Sequence, residues 1–459
     1  MEKIFTYSLS ALGLLAMLMV SSAVPRPTTP RLLVIGVDAI PYQVMRELTD
    51  SRHGAAALFQ GMGPPTALIN AFPSNSYVAW TGLLSPFKIA KTIGYESRYF
   101  DLETKSVNRG YDLTDPPAPW KDFFDYRLEG VISAAIAYGW PRYYSLKELD
   151  DGFRQFSESD KDVFTMYVIS TDAVGHLYGP PAQAAFMRAL DNRLKLLREH
   201  ERDRPFYVVM FSDHGMAGGK PLVNTWPAIK SATEHAGYTI RNKLDEARDV
   251  VFIPYGLLSS FVVYSQMPER LSVARAITQA DGVDLCVMRD GDRFHVISGR
   301  GQARIERRNH NARQQFAYYP DQGDPLQYSD VRSKLAKSVS PADAMWFDDS
   351  AWFTATKNHF YPDALYRISR AFDLVRNPGS LVCSVSPDYM FGGLLTEYVA
   401  IPTIGRLRWT HGALHREASL GFFMTDLPQW PAADAMRYDT ALAPLQKRFG
   451  QFSAKQHSH

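Results

Sequence analysis

The chain has 459 residues, enough for two or three domain-sized units or for one large α/β core carrying an insertion. A hydrophobic share of 46% and a charged share of 21% are those of a globular protein and exclude a disordered chain. With a formal net charge of +2 and no block of lysine and arginine, there is no electrostatic footprint of a nucleic-acid polymer, and none is expected as a partner.

Met1-Glu2-Lys3 precedes an apolar run from Leu9 to Val20 and the small residues Ser21-Ser22-Ala23. This pattern predicts a secretory signal over residues 1–23, because the run is shorter than the roughly 20 apolar residues of a spanning helix. The protein is therefore expected to be exported, periplasmic or extracellular, with no stable membrane span after cleavage. Residues 24–30 form a Pro/Thr linker. An oxidising compartment would permit a bridge between Cys286 and Cys383, but their wide separation leaves two buried thiols as the commoner outcome.

Leu32 to Val37 is a continuous apolar run, the mark of a strand buried on both faces, and it ends at Asp38. The loop around Pro73 leads into Val78 to Leu84, which has helical spacing, so Ser76 falls at a helix amino terminus. Val131 to Tyr138 looks helical. Val163 to Thr171 repeats the strand signature and exits into Asp172, with His176 four residues on. Gly175 and Gly179 predict a loop there, and Pro180-Pro181 opens a helix running to about Glu199.

Phe206 to Met216 holds a third strand, which stops at Ser212-Asp213-His214-Gly215. Beyond it the regular alternation lapses. Val250 to Gly256 and Ser259 to Ser265 read as strands, Pro268 to Ala280 as helix, and Gly282 to Arg300 as a hairpin turning at Asp290-Gly291-Asp292. Arg304 to Asn311 is polar, Tyr361 to Asp373 an amphipathic helix, and Leu381 to Ser386 another core strand. Near the end stands Trp409-Thr410-His411-Gly412, followed by His415.

In open α/β sheets ligands bind beyond the strand carboxyl ends, which is where these polar residues collect. Asp38, Ser76, Asp172, His176, Asp213, His214 and His411 make three carboxylates, three imidazoles and one hydroxyl. Mixed Asp/His ligation without thiolate suits Zn²⁺, and seven groups are too many for one ion but natural for two. Two such ions about 4 Å apart stabilise the attacking and leaving oxygens of a displacement at phosphorus.

Phe72-Pro73-Ser74-Asn75-Ser76-Tyr77, the Asp172 to His176 segment with its following Gly179-Pro180, Ser212 to Met216 and Thr410-His411-Gly412 together resemble the alkaline phosphatase superfamily, in its type I phosphodiesterase/nucleotide pyrophosphatase branch. The resemblance implies a three-layer α/β core with a mostly parallel sheet flanked by helices, plus an inserted α+β cap. By that likeness residues 31–225 and 371–450 form a metal-dependent hydrolase core and 226–370 the inserted region.

One ion would be held by Asp38, Ser76, Asp213 and His214, the other by Asp172, His176 and His411. Ser76 would attack phosphorus and form a phosphoseryl intermediate on a small-molecule phosphate ester. Ser74 is the alternative nucleophile and His415 the alternative to His411. The branch usually has an asparagine donor near Glu96-Ser97, absent here, and Arg98 is the candidate substitute for binding the phosphate. His235, His295, His310 and His359 are read as structural or surface residues. A phosphomonoesterase, or a catalytically weak binding protein retaining the fold, is the alternative reading.

Overall fold

The computed structural model describes residues 30–50, 57–108, 118–129, 138–253, 257–337, 345–392 and 407–448. The expected signal segment 1–23, linker residues 24–29 and most of the Val131 to Tyr138 stretch lie outside the described residues. The first half of the chain supplies β1 (Arg31–Val37), α1 (Tyr42–Thr49), β2 (Thr66–Ile69), α2 (Ser76–Leu83), α3 (Pro141–Glu158), β3 (Val163–Val168), α4 (Ser170–His200) and β4 (Phe206–Ser212). A second, nine-stranded sheet follows, comprising β5 (Thr239–Ile240), β6 (Asp249–Ile253), β7 (Ser260–Ser265), β8 (Val283–Asp290), β9 (Arg293–Ser298), β10 (Gly301–His310), β11 (Arg313–Gly323), β12 (Phe347–Asp348) and β13 (Leu381–Val385). Helix α5 (Ala364–Ala371) precedes β13, and β14 (Leu420–Thr425) and β15 (Ala435–Arg437) return to the first sheet.

The first sheet has the order β15-β2-β14-β4-β1-β3. Strand β1 pairs in parallel with both β3 and β4, while β14 runs antiparallel to β4 and to β2. Every residue of β1 is buried, and its side chains alternate between two apolar clusters. Leu33, Ile35 and Val37 meet Met45 of α1, Leu149 and Phe153 of α3, and Met187 and Leu190 of α4. Leu32 and Val34 face the opposite cluster with Trp80 of α2 and Leu365 and Ile368 of α5. A sheet covered by helices on both faces is the expected three-layer core, and the continuous apolar runs follow from it.

One glycine decides how α2 sits. A Cβ on Gly36 would lie 2.7 Å from the indole of Trp80, so this position lets α2 settle onto β1. The second sheet is antiparallel except between β5 and β6, and one of its faces shares the apolar cluster of Leu32 and Trp80. Its other face buries Val273 and Ile277 of the helix Arg270–Ile277.

Two sequence expectations change. The polar Arg304 to Asn311 stretch belongs to the long β10/β11 hairpin, whose buried face shows Ala303, Ile305, Phe316 and Tyr318, while Arg304, Arg307 and Arg308 are half-buried against Tyr319, Phe294 and Trp346. Leu381–Val385, read as a core strand, is fully buried and central in the second sheet. There Cys383 lies directly opposite Cys286, and the two are joined in a disulfide rather than left as thiols.

Candidate active site

Strand register brings the first carboxylates together. Val37 pairs with Ser212 on one side and with Val168 on the other, so Asp38 and Asp213 leave adjacent strands at the same level. The Asp213 Oδ1 accepts the Ala39 amide at 3.2 Å, and the Ile40 amide donates to Ser212 Oγ at 2.9 Å, binding the two exits to each other. Tyr167 donates its hydroxyl to Asp38 Oδ2.

The Asp172 to His176 segment was expected to be a loop, but it forms the first turns of α4 and places the two side chains on one helix face. Its amino terminus is capped by a carboxylate from elsewhere: Glu148 of α3 accepts the Ile169 amide at 2.8 Å and the Ser170 hydroxyl. Only Gly179, at φ 71°, interrupts the helix, where a Cβ would collide with the Trp409 indole. Ser76 is the first residue of α2, which Asn75 caps through its side-chain oxygen on the Val78 amide at 3.2 Å.

All seven expected residues meet at this end of the sheet. Asp38, Asp213 and His214 form one buried group whose ligand atoms lie within 4.8 Å of one another, and Asp172, His176 and His411 form another. Ser76 Oγ lies 3.4 Å from His214 Nε2 and 3.5 Å from both Asp38 oxygens. Ser74 instead turns its hydroxyl toward the Ala413 and Ala418 carbonyls, each at 3.1 Å. His415 is buried against Phe360 and is in neither group, as are His235, His295, His310 and His359.

The imidazoles share one pattern. Nδ1 of His176 donates to the Trp409 carbonyl, that of His214 to the Gly215 carbonyl and that of His411 to the Ser74 carbonyl, each at 3.0 Å. A carbonyl can only accept, so these bonds place the proton on Nδ1 and leave the Nε2 lone pair of the neutral ring facing the site. The Nε2 atoms of His176 and His411 lie 3.4 Å from Asp172 Oδ1, and that of His214 lies 3.4 Å from Asp213 Oδ2. Those two oxygens are buried and accept no hydrogen bond.

Among the described residues no lysine or arginine pairs with Asp38, Asp172 or Asp213, so this cluster of buried acids lacks a permanent counter-charge. Burial pushes the Asp213 carboxyl well above its ordinary value, and the adjacent Asp38 adds to the effect. Burial acts the same way on Asp172, but His176 and His411 outweigh it and hold that carboxyl down. Burial lowers His176 and acts the same way on His214, where the adjacent Asp38 and the charge of Asp172 together outweigh it and raise the imidazole. Unsatisfied carboxylate oxygens, lone pairs aimed inward and missing positive charge fit divalent cations.

A cavity of about 200 Å³ opens onto Ser76, Asp172, His176 and His411, with Arg98 and Leu258 in its wall. Besides Tyr167, sequence reasoning missed two other members. Tyr138 donates its hydroxyl to Asp172 Oδ2, and Glu96, pushed up to about 8 by burial and by Asp172 and Asp38, also lines the cavity. Glu96 stands where an asparagine was sought, and Tyr138 ends an apolar stretch that gave no sign of chemistry.

No curated protein matches the chain significantly. Similar solved structures include murine ectonucleotide pyrophosphatase/phosphodiesterase 5, 10% identical over 92% of this chain and 95% of that one, with a TM-score of 0.47. The human counterpart is 11% identical over 91% and 94%, also with a TM-score of 0.47. Phosphonoacetate hydrolase from Sinorhizobium meliloti, in complex with phosphonoformate, is 12% identical over 91% and 96%, with a TM-score of 0.46. The model of the type I phosphodiesterase/nucleotide pyrophosphatase family matches residues 101–349, more than half of the sequence. The chain belongs to that family of the alkaline phosphatase superfamily and is a hydrolase of phosphoric ester bonds.

Proposed function

We propose that the protein is an exported phosphoric-ester hydrolase that uses Ser76 as nucleophile and holds two divalent ions, Zn²⁺ by the nature of its ligands. The observation that carries this reading is the set of three imidazoles, each donating through Nδ1 to a carbonyl and turning Nε2 toward unpartnered carboxylate oxygens. Asp38, Ser76, Asp213 and His214 would hold one ion, and Asp172, His176 and His411 the other. Bound there, the ions supply the positive charge that favours the Ser76 alkoxide and offsets charge on the departing oxygen.

Ser76 Oγ attacks phosphorus in line as the ester oxygen leaves, forming a phosphoseryl intermediate that water then hydrolyses. Tyr167 and the Ala39 amide hold the carboxylates of Asp38 and Asp213 in place. The amino terminus of α2 favours the anionic phosphoryl group beside Ser76, and the Arg98 guanidinium binds one of its oxygens.

Residues 31–225 and 371–450 form the catalytic core in this reading and 226–370 an inserted region, whose Leu258 walls the site. Export is supported by the disulfide, which persists in oxidising compartments, and by the amino-terminal apolar run. No described helix is long and apolar enough to cross a membrane.

The test is a panel of nitrophenyl phosphate, its bis-ester and a nucleotide pyrophosphate, assayed with Zn²⁺. Release of product from the diester or the pyrophosphate is expected. Turnover of none of the three would overturn the proposal.

A further inference from the structure

Arg98 also lines a second, larger cavity of about 1060 Å³. Its floor is the short antiparallel ladder of Phe100–Asp101 with Ser106–Val107, and its far side is the segment Arg241–Asp245 from the inserted region. Backbone bonds join the two: Val107 donates to the Asn242 carbonyl at 2.8 Å and Leu244 to the Lys105 carbonyl at 3.0 Å. The walls are thus held by main chain where the inserted region meets the core.

The lining carries Arg98, Arg241 and Lys243 against Asp101 and Asp245, a net positive wall. Asp101 Oδ1 is engaged by the Glu103 and Thr104 amides at 2.8 and 3.2 Å. Asp249 steadies Arg241 through Nε at 3.0 Å, while Arg98 and Lys243 have no ion pair among the described residues. Tyr99 is the one aromatic residue in the lining, and Thr104, Ser106 and Asn242 add hydrogen-bonding groups. Such a wall suits a charged, hydroxylated group rather than a flat apolar one.

We propose that this cavity is a distal subsite for a second anionic group, a phosphate carried on the substituent of the ester whose scissile phosphorus lies at Ser76, with Arg98 between the two positions. The inference rests on the hydrolase reading above. It selects esters that bear a further phosphate over those with uncharged substituents.

The probes are the para-nitrophenyl ester of a nucleoside monophosphate and the same ester with a further phosphate on the sugar. Their affinities for the Zn²⁺-loaded Ser76→Ala protein are measured by calorimetry, where turnover is not needed. About tenfold tighter binding of the phosphorylated ester is expected, falling to within about twofold once Arg241→Ala and Lys243→Ala are added. Lys243→Glu alone, which leaves the Arg241–Asp249 pair intact, should also erase the preference. Equal affinities in the parent protein, or a preference that survives these substitutions, would overturn the subsite. Hydrolysis by the wild-type protein is read separately, so loss of the hydrolase reading and loss of the subsite appear in different measurements.

Discussion

The imidazole of His214 lies flat on that of His411, with ring centroids 3.7 Å apart and planes 12° from parallel, although each ring belongs to a different carboxylate group. Two imidazolium rings could not occupy that stack without strong repulsion, whereas two neutral rings bound through Nε2 can. Chelation is therefore expected to abolish hydrolysis and added Zn²⁺ to restore it. His411→Ala should lower the bound metal by about one equivalent and not by two, as elemental analysis would show. Full metal content in that variant would remove His411 from the ligand set.

Replacing Ser76 tests the nucleophile without emptying the site. Ser76→Ala should cut kcat by about a thousandfold or more while leaving metal content close to that of the wild type. Ser74→Ala should act on stability instead, since its hydroxyl serves the Ala413 and Ala418 carbonyls. Unchanged hydrolysis in the Ser76 variant would exclude it as nucleophile.

Arg367 is fully buried and, among the described residues, has no carboxylate hydrogen-bonded to it. Its guanidinium donates to the Asn70, Ala71, Pro362 and Leu414 carbonyls and to Ser419 Oγ, at 2.6 to 3.2 Å. It thereby ties the segment leading to Ser76 to the one following His411. Arg367→Met leaves several buried acceptors without a donor, and should cost roughly 3 kcal/mol or more in urea unfolding. A loss below about 1 kcal/mol would show that the loops hold themselves.

His415 gives the fold an acid sensitivity. Burial, with the Arg367 charge nearby, pushes its imidazole down to about 4. Between that value and the usual 6.5 the unfolded chain binds a proton that the folded one refuses, so stability falls as pH drops through this window, by roughly 3 kcal/mol in all. His415→Phe should flatten that part of the stability profile in urea titrations from pH 7 to pH 4. An unchanged slope would assign the sensitivity to other groups.

The Cys286–Cys383 bridge closes a separation of 97 residues and joins facing strands of the second sheet. Replacing both cysteines with alanine should lower stability by about 2–4 kcal/mol. The same loss should follow reduction of the wild-type protein by dithiothreitol, read by its thermal midpoint. A midpoint indifferent to the reductant would contradict the bridge.

Much of the site was legible because it follows strands that announce themselves. β1, β3 and β4 are buried on both faces, so their runs are continuous, and the acids stand at or just past the point where each run stops. What escaped depends on partners distant in the chain. Nothing near Asp172 marks a helix, because the residue that caps it, Glu148, comes from α3. The Arg304 to Asn311 strand hid behind its half-buried arginines, and Cys286 meets Cys383 only through a pairing of strands that local patterns do not encode. Tyr138 and Tyr167 were invisible as site residues because a tyrosine in an apolar run is ordinarily core.

The parallel register of β1 and β4 has a consequence for the spacing of the two carboxylate groups. Asp38 and Asp213 directly follow neighbouring strands whose separation, about 4.8 Å, is set by the peptide ladder and cannot widen without breaking it. Asp172 and His176 come from a helix start, while His411 follows the short pairing of Trp409–Thr410 with Ala217–Gly218 and is itself bridged to Leu258. One carboxylate group thus takes its spacing from a single continuous ladder, and the other from a helix start and two separate short pairings.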